Sequence, residues 1–390
     1  MDREKPINIS LTSTNSHIFK IPPGQGSFSI GFVGMDKKKF DVLVEKDLSI
    51  NWNAFNEFTT PAGGHWPRFF YYWGNDVGFT EWSKKRAIED FFMHPNKPIS
   101  VDLTNSQIRN FSIEATEYPI KLVLDNQIID NQFGLKSLNL SGNIENFEII
   151  STHSNPYIRI VPNTKKDKSG RSYKLPTLKS LETIISLDIT VEPLGQPFDC
   201  ESLLQFPNLK ILNLTGNITN TNCLSEFLNL EHLGIRYAPN LENFPSLNSW
   251  ENLKSFIGWN IDEITGKRLN TELKQLAKAK ELDYSSVSKL RSSIWFTTEY
   301  GIPFTNWETQ NAKIATKAYK SILKEISKAK TEKEVKTSII KLVEIINKLP
   351  NIETVEREDT GTSIIQLIEA SKLEISHETA NNWFDEIRDF

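Results

Sequence analysis

LKSLNLSGNI, from Leu135 to Ile144, and LKILNLTGNI, from Leu209 to Ile218, are nearly the same decamer written twice. Eight of the ten positions are identical, and Ser141 against Thr215 is a conservative exchange. The copies stand 74 residues apart, which divides into three intervals of about 25, the length of one unit in some proteins built from internal repeats. Weaker versions follow the same pattern: Ile184, Leu187 and Ile189 in IISLDI, Leu230, Leu233 and Ile235 in LEHLGI, Leu253 and Phe256 in LKSFIG. Leu138 and Leu140 alternate with polar neighbours, as in a short strand with one buried face. Asn143 and Asn217 come three residues after the last strand leucine, where an amide can bond backbone groups at a bend. One such unit cannot bury its apolar face alone, so several must stack.

In these residues the chain resembles the leucine-rich repeat family. Its pattern LxxLxLxxN is met in full by Leu135, Leu138, Leu140 and Asn143, and by Leu209, Leu212, Leu214 and Asn217. The resemblance runs from Pro98 to Leu276, with degenerate units at Ile99–Leu103 and Ile120–Leu124. Glu192 and Ala238 replace the asparagine in weaker units, and KKDKSGRSYK from Lys165 reads as an exposed loop. The resemblance implies an α/β fold: a leucine-rich-repeat solenoid, an irregular horseshoe, over residues 98–280. An aromatic-rich, β-containing cap (1–97) would precede it and an α-helical module (281–390) would follow.

On that fold the residues flanking the strand leucines face outward. The row is small and polar at Ser137, Asn139 and Ser141, and grows larger toward Arg236 and Trp259. Arg and Trp combine contact area with directed polar bonding, as hot spots of protein interfaces do. The expected partner-binding residues are Asn139, Asp188, Asn213, His232, Arg236 and Trp259.

The amino-terminal region is unusual in composition. SFSIGFVG, FDVLV and LSINWNAF alternate as short strands do. Between Pro61 and Phe92 lie Trp66, Phe69, Phe70, Tyr71, Tyr72, Trp73, Phe79 and Trp82, after a bend at Gly63–Gly64. Trp82, Ile88 and Phe92 fit one face of a helix spanning Glu81–Phe92. Rings interleaved with Arg68 suit base stacking, a sugar or small-ligand pocket with His65 or Asp76 as polar contact, a partner-binding patch, or the core of a cap. An enzyme acting there on a small sugar or nucleotide ligand is the alternative function.

From Trp307 onward, steps of three and four residues predict helices: Ile314, Ala318, Ile322 and Ile326, then Val335, Ile339, Leu342 and Ile346 behind a Thr331–Glu334 capping box. Ser363–Leu373 and Ser376–Phe384 supply two more, with ETVEREDTG from Glu353 as an exposed link. Residues 310–350 hold ten lysines against four glutamates, a local +6, and residues 351–390 ten acids against three basic residues, a local −7. Nucleic-acid binding by the lysine-rich helices is a further alternative, against mutual neutralisation of the two blocks.

The 390 residues are 38% hydrophobic, 24% charged and 11% aromatic, which excludes a disordered chain. A formal charge of −4 disfavours a nucleic-acid binder, and two cysteines, Cys200 and Cys223, exclude a disulfide scaffold. MDREKPINIS lacks the apolar run of a signal peptide, and no stretch is long and apolar enough for a membrane span, so a cytoplasmic protein is expected. The six histidines are scattered, with no HExxH, and no phosphate-cradling loop, nucleophile elbow or dinucleotide fingerprint is present. GQGSFSIG near Gly24 precedes a strand, not a helix. No cofactor and no metal are expected. The expected function is non-enzymatic protein binding. By resemblance to intracellular bacterial repeat proteins it would be a toxin-neutralising, immunity-like or scaffold protein with an unidentified protein partner.

Overall fold

The computed structural model describes residues 6–12, 16–56, 66–124, 134–151, 156–164 and 171–389, except the side chains of 299, 305 and 306. The chain forms two compact units, Met1–Lys289 and Leu290–Phe390.

In the first unit, β1 (Ile7–Ser10) and β2 (Ile18–Ile21) make an antiparallel hairpin. Next come β3 (Ser27–Phe32), β4 (Val42–Val44), β5 (Phe69–Trp73), the short helix α1 (Phe79–Ser83) and β6 (Ile88–His94). β7 (Ile99–Asp102), β8 (Ile108–Ala115) and β9 (Ile120–Leu124) follow. The first decamer supplies β10 (Ser137–Gly142), and β11 (Phe147–Ser151), β12 (Tyr157–Pro162), β13 (Ser186–Thr190) and β14 (Phe198–Asp199) come after it. The second decamer supplies β15 (Ile211–Thr215) and ends on β16 (Ile218–Thr219). The unit closes with β17 (His232–Arg236), β18 (Ser255–Trp259), α2 (Glu263–Ala279) and β19 (Ser286–Ser288).

Twelve of these strands form one parallel sheet, ordered β19-β18-β17-β15-β13-β12-β10-β8-β6-β5-β3-β4. A separate three-stranded parallel sheet holds β7, β9 and β11.

Register explains the core. Phe28, Phe70, Phe91, Phe111, Leu138, Ile158, Leu187, Leu212, Leu233 and Phe256 are successive cross-strand partners in one unbroken row. Every one of them is buried. Phe70 and Phe91 therefore carry the same row into the aromatic segment with larger side chains. Phe79 stacks on Phe91 with ring centroids 4.0 Å apart, and Trp52 packs edge-on against Tyr72 at 5.4 Å. Such pairs contribute about 0.5–1.5 kcal/mol beyond the area they bury.

The asparagines close the strand ends: Asn217 Nδ2 donates to Gly195 O at 3.0 Å, and Asn143 Nδ2 donates to Thr116 O. The glycines before them are obligatory. Gly142 has φ 84° and Gly216 φ 106°, and a Cβ there would collide with the carbonyl oxygens of Ala115 and Val191.

The expected leucine-rich-repeat solenoid, an irregular horseshoe behind a separate aromatic cap, is corrected by this topology. The fold is an α/β fold organised by one long parallel sheet, and β3, β4, β5 and β6 of the supposed cap belong to it. No constant unit length separates the strands, which begin unevenly at Ser137, Tyr157, Ser186, Ile211, His232 and Ser255. The supposed units at Ile99 and Ile120 lie in the smaller sheet. What the decamers share is two buried leucines two residues apart and a turn glycine at the end of a parallel strand.

Two local expectations also change. Ile88–Phe92 is strand and not helix, because Ile88 and Phe91 enter the sheet row beside Ile108 and Phe111. Trp52–Phe55 is a 3₁₀ turn, with both rings buried. His65, the Gly63–Gly64 bend and residues 165–170 of the charged insertion lie outside the described residues.

The second unit is helical: α3 (Ser293–Trp295), α4 (Thr309–Ile326), α5 (Glu332–Ile346), α6 (Thr354–Glu369) and α7 (His377–Ile387). Ile322, Ile326, Ile339, Leu342, Ile364 and Leu367 make its core, and the Thr331–Glu334 capping box opens α5. ETVEREDTG is not a link but the start of α6. Glu353 and Glu356 form its capping box, and Asp359 accepts a 3.0 Å bond from Trp307 Nε1. Thr360 and Ser363 are fully buried there and bond their own helix backbone, so this polar run tolerates a helix. Among the described residues no helix is long and apolar enough to cross a membrane.

Candidate functional site

Side chains alternate across a strand, so residues between the buried leucines share the opposite face of the large sheet. Asn139, Arg159, Asp188, Asn213, Gly234 and Ile257 are successive register partners there. Thr190, Thr215, Arg236 and Trp259 form the next row toward the carboxyl ends of the strands. Ser186, Ile211, His232 and Ser255 form the row on the other side.

A polar network ties β12, β13 and β15 together. Tyr157 Oη donates to Asp188 Oδ2 at 3.1 Å, and Thr190 Oγ1 donates to Asp188 Oδ1 at 3.0 Å. Arg159 Nε lies 3.9 Å from Asp188 Oδ1, while Asn213 Nδ2 donates to Tyr157 Oη at 3.5 Å. Burial first, and the Asp188 charge second, push the Tyr157 phenol up to about 12. Tyr157 therefore stays protonated at neutral pH. Asn139 Oδ1 and Ser186 Oγ, on the strands flanking β12, are buried without a hydrogen-bond partner among the described residues. Unsatisfied groups of this kind cost about 1–3 kcal/mol each.

Beyond the network stand Arg236 and Trp259. Gly234 leaves room there: a Cβ at Gly234 would collide with Asn213 Oδ1 and sit 3.5 Å from Arg236 Nη1. The Trp259 ring is half-buried and meets Tyr237 edge-on at 5.0 Å. Arg236 is half-buried too, and among the described residues its guanidinium makes no ion pair or side-chain hydrogen bond.

All six expected residues thus lie on one face. Asp188 and Asn213 are register neighbours, as are Arg236 and Trp259. Asn139 is separated from Asp188 by β12, and His232 sits at the opposite end of β17 from Arg236. Sequence reasoning missed Tyr157 and Arg159. The alternation in YIRIVP signals both, but the charged insertion that follows interrupts the pattern.

The other candidates separate. Asp76 accepts a 2.6 Å bond from Trp52 Nε1, and its backbone N–H donates to Tyr72 Oη at 2.9 Å. Burial raises the Asp76 carboxyl while the Trp52 bond opposes it. It fastens a turn to the aromatic core. Cys200 and Cys223 are buried free thiols, and burial pushes Cys223 up to about 12, so neither is an activated nucleophile. His94 Nδ1 lies 3.0 Å from Glu114 Oε2, and this contact holds the Glu114 carboxyl below its usual range. Among the described residues no group of three or more His, Cys, Asp or Glu side chains is placed to hold a metal ion.

Among the described residues, what the face offers chemically is directed hydrogen bonding, the Arg236 cation without an ion pair, and the Trp259 indole. No family model matches the chain, no curated protein matches its sequence, and no solved structure matches its fold.

Proposed function

We propose that the protein works without catalysis, by binding another protein on the polar face of its large sheet, centred on Arg236 and Trp259. The observation that carries this is the pairing of a half-buried guanidinium, unengaged among the described residues, with a half-buried indole on adjacent strands. Arg and Trp dominate interface energetics where a partner can desolvate them. The ordered network from Tyr157 to Asn213 supplies a preorganised rim, which lowers the entropic cost of binding. The partner presents a carboxylate to Arg236 and an apolar side chain to Trp259. An antagonist that silences a toxic partner and a scaffold that holds one are both forms of this reading. We place the encounter in the cytoplasm, a reading supported by the two free thiols.

The test is affinity capture from the native source with wild type and with Arg236→Ala/Trp259→Ala. A partner retained by wild type and lost by the folded double variant supports the reading. Equal retention by both rejects it.

A further inference from the structure

The second unit carries a charge pattern that the sheet-face reading leaves unused. Lys313, Lys317, Lys320 and Lys324 stand on α4 at steps of four, three and four residues. At about 100° per residue these steps keep all four within about 60° of arc, over about 16 Å of helix. All four are exposed. Glu325, the one acid within α4, pairs with Lys341 of α5 at 2.9 Å. Lys336 of α5 pairs with Glu386 of α7 at 3.1 Å. Internal neutralisation therefore reaches α5. Among the described residues Lys313, Lys317 and Lys324 make no ion pair, whereas Lys320 is engaged. Like charges at such steps repel along a helix.

All four lysines line a groove of about 730 Å³, together with Ile302, Phe304, Ala312 and Thr316. We propose that this groove docks a short acidic segment of a partner protein, carboxylates on the lysines and apolar side chains against Ile302 and Ala312. Charge complementarity selects an anion. The groove's one ring, Phe304, is fully buried and offers no stacking face, which disfavours single-stranded nucleic acid. Exposed Glu353, Glu358, Glu374 and Glu378 in the same unit repel an extended anionic surface, whereas a short segment meets the stripe alone.

The probe is a fluorescein-labelled helical peptide with glutamates in the same four-three-four spacing and leucines on its other face, titrated with the full chain. Binding that weakens with salt, and falls about tenfold or more in Lys313→Glu/Lys317→Glu/Lys324→Glu, is expected. Lys20→Glu/Lys179→Glu/Lys278→Glu carries the same charge change in the other unit and retains binding. If the first triple variant loses helical circular dichroism, Lys→Gln at the same three positions replaces it. No binding of the peptide, equal binding by the stripe variant, or tighter binding of single-stranded DNA or anionic vesicles would overturn the proposal.

Discussion

Arg236 and Trp259 are register partners on adjacent parallel strands, and the glycine two residues before Arg236 opens the space beside them. Gly234 makes that arrangement possible, since a side chain there would displace the Asn213 amide. Gly234→Ala should therefore lower stability, by at most about 1 kcal/mol, since the new Cβ meets the movable end of the Asn213 side chain. Urea unfolding checks it. An unchanged midpoint means that the amide is not seated over Gly234.

A single sheet row also makes a claim about cooperativity. Phe111 and Leu138 are cross-strand partners, both fully buried. Phe111→Ala should cost about 3–5 kcal/mol and Leu138→Ala about 2–5 kcal/mol, both within one transition of the first unit. If Phe111→Ala instead splits off an early transition with Leu138 unaffected, the aromatic strands form a separate body after all.

Arg86 is 1% exposed, packed 4.7 Å from the Trp82 ring centroid, with Nη2 donating to Pro67 O at 2.7 Å. Among the described residues its Nε and Nη1 are buried without partners, and burial lowers its pKa to about 10. A buried cation held by one carbonyl and two ring faces, with no carboxylate beside it among the described residues, is poorly compensated. Arg86→Met, which keeps the volume, should leave stability unchanged or raise it by about 1–4 kcal/mol, whereas Arg86→Ala should lower it through the cavity left behind. Thermal unfolding of the pair decides. A strong loss in the methionine variant would mean that the charge itself is required.

Glu231 is bracketed by Lys254 and Lys210, which hold its carboxyl at about 2. A carboxyl depressed on folding adds stability above its unfolded value of 4.5, and that contribution disappears as pH falls toward 2. Wild type should thus exceed Glu231→Gln in Tm at pH 6, with the gap narrowing steadily between pH 4.5 and pH 2. A gap independent of pH would contradict the ion pair as its source.

Residues governed by local rules were legible in the sequence. Leu138, Leu140, Leu212 and Leu214 alternate as half-buried strands must, and Asn143 and Asn217 follow a turn glycine. The extent of the sheet was not legible. Trp82, Ile88 and Phe92 satisfy a helical period, and only pairing with the neighbouring strands β5 and β8 settles Ile88 and Phe91 as strand residues. The decamers suggest a constant repeat because their near-identity hides the uneven intervals between the other strands. The polar face could be listed from alternation alone, but Tyr157 joins Asp188 and Asn213 only through the side-by-side placement of β12, β13 and β15.

The most direct test of binding through the sheet face is site-specific photo-crosslinking in the native source. A photoreactive residue replaces His232 on the polar face or, in a second protein, exposed Leu204 on a 3₁₀ turn. Recognition centred on Arg236 and Trp259 predicts one protein crosslinked from position 232, not from position 204, and lost in Arg236→Ala/Trp259→Ala. The same adduct from both positions, its survival in the double variant, or no adduct at all would contradict it.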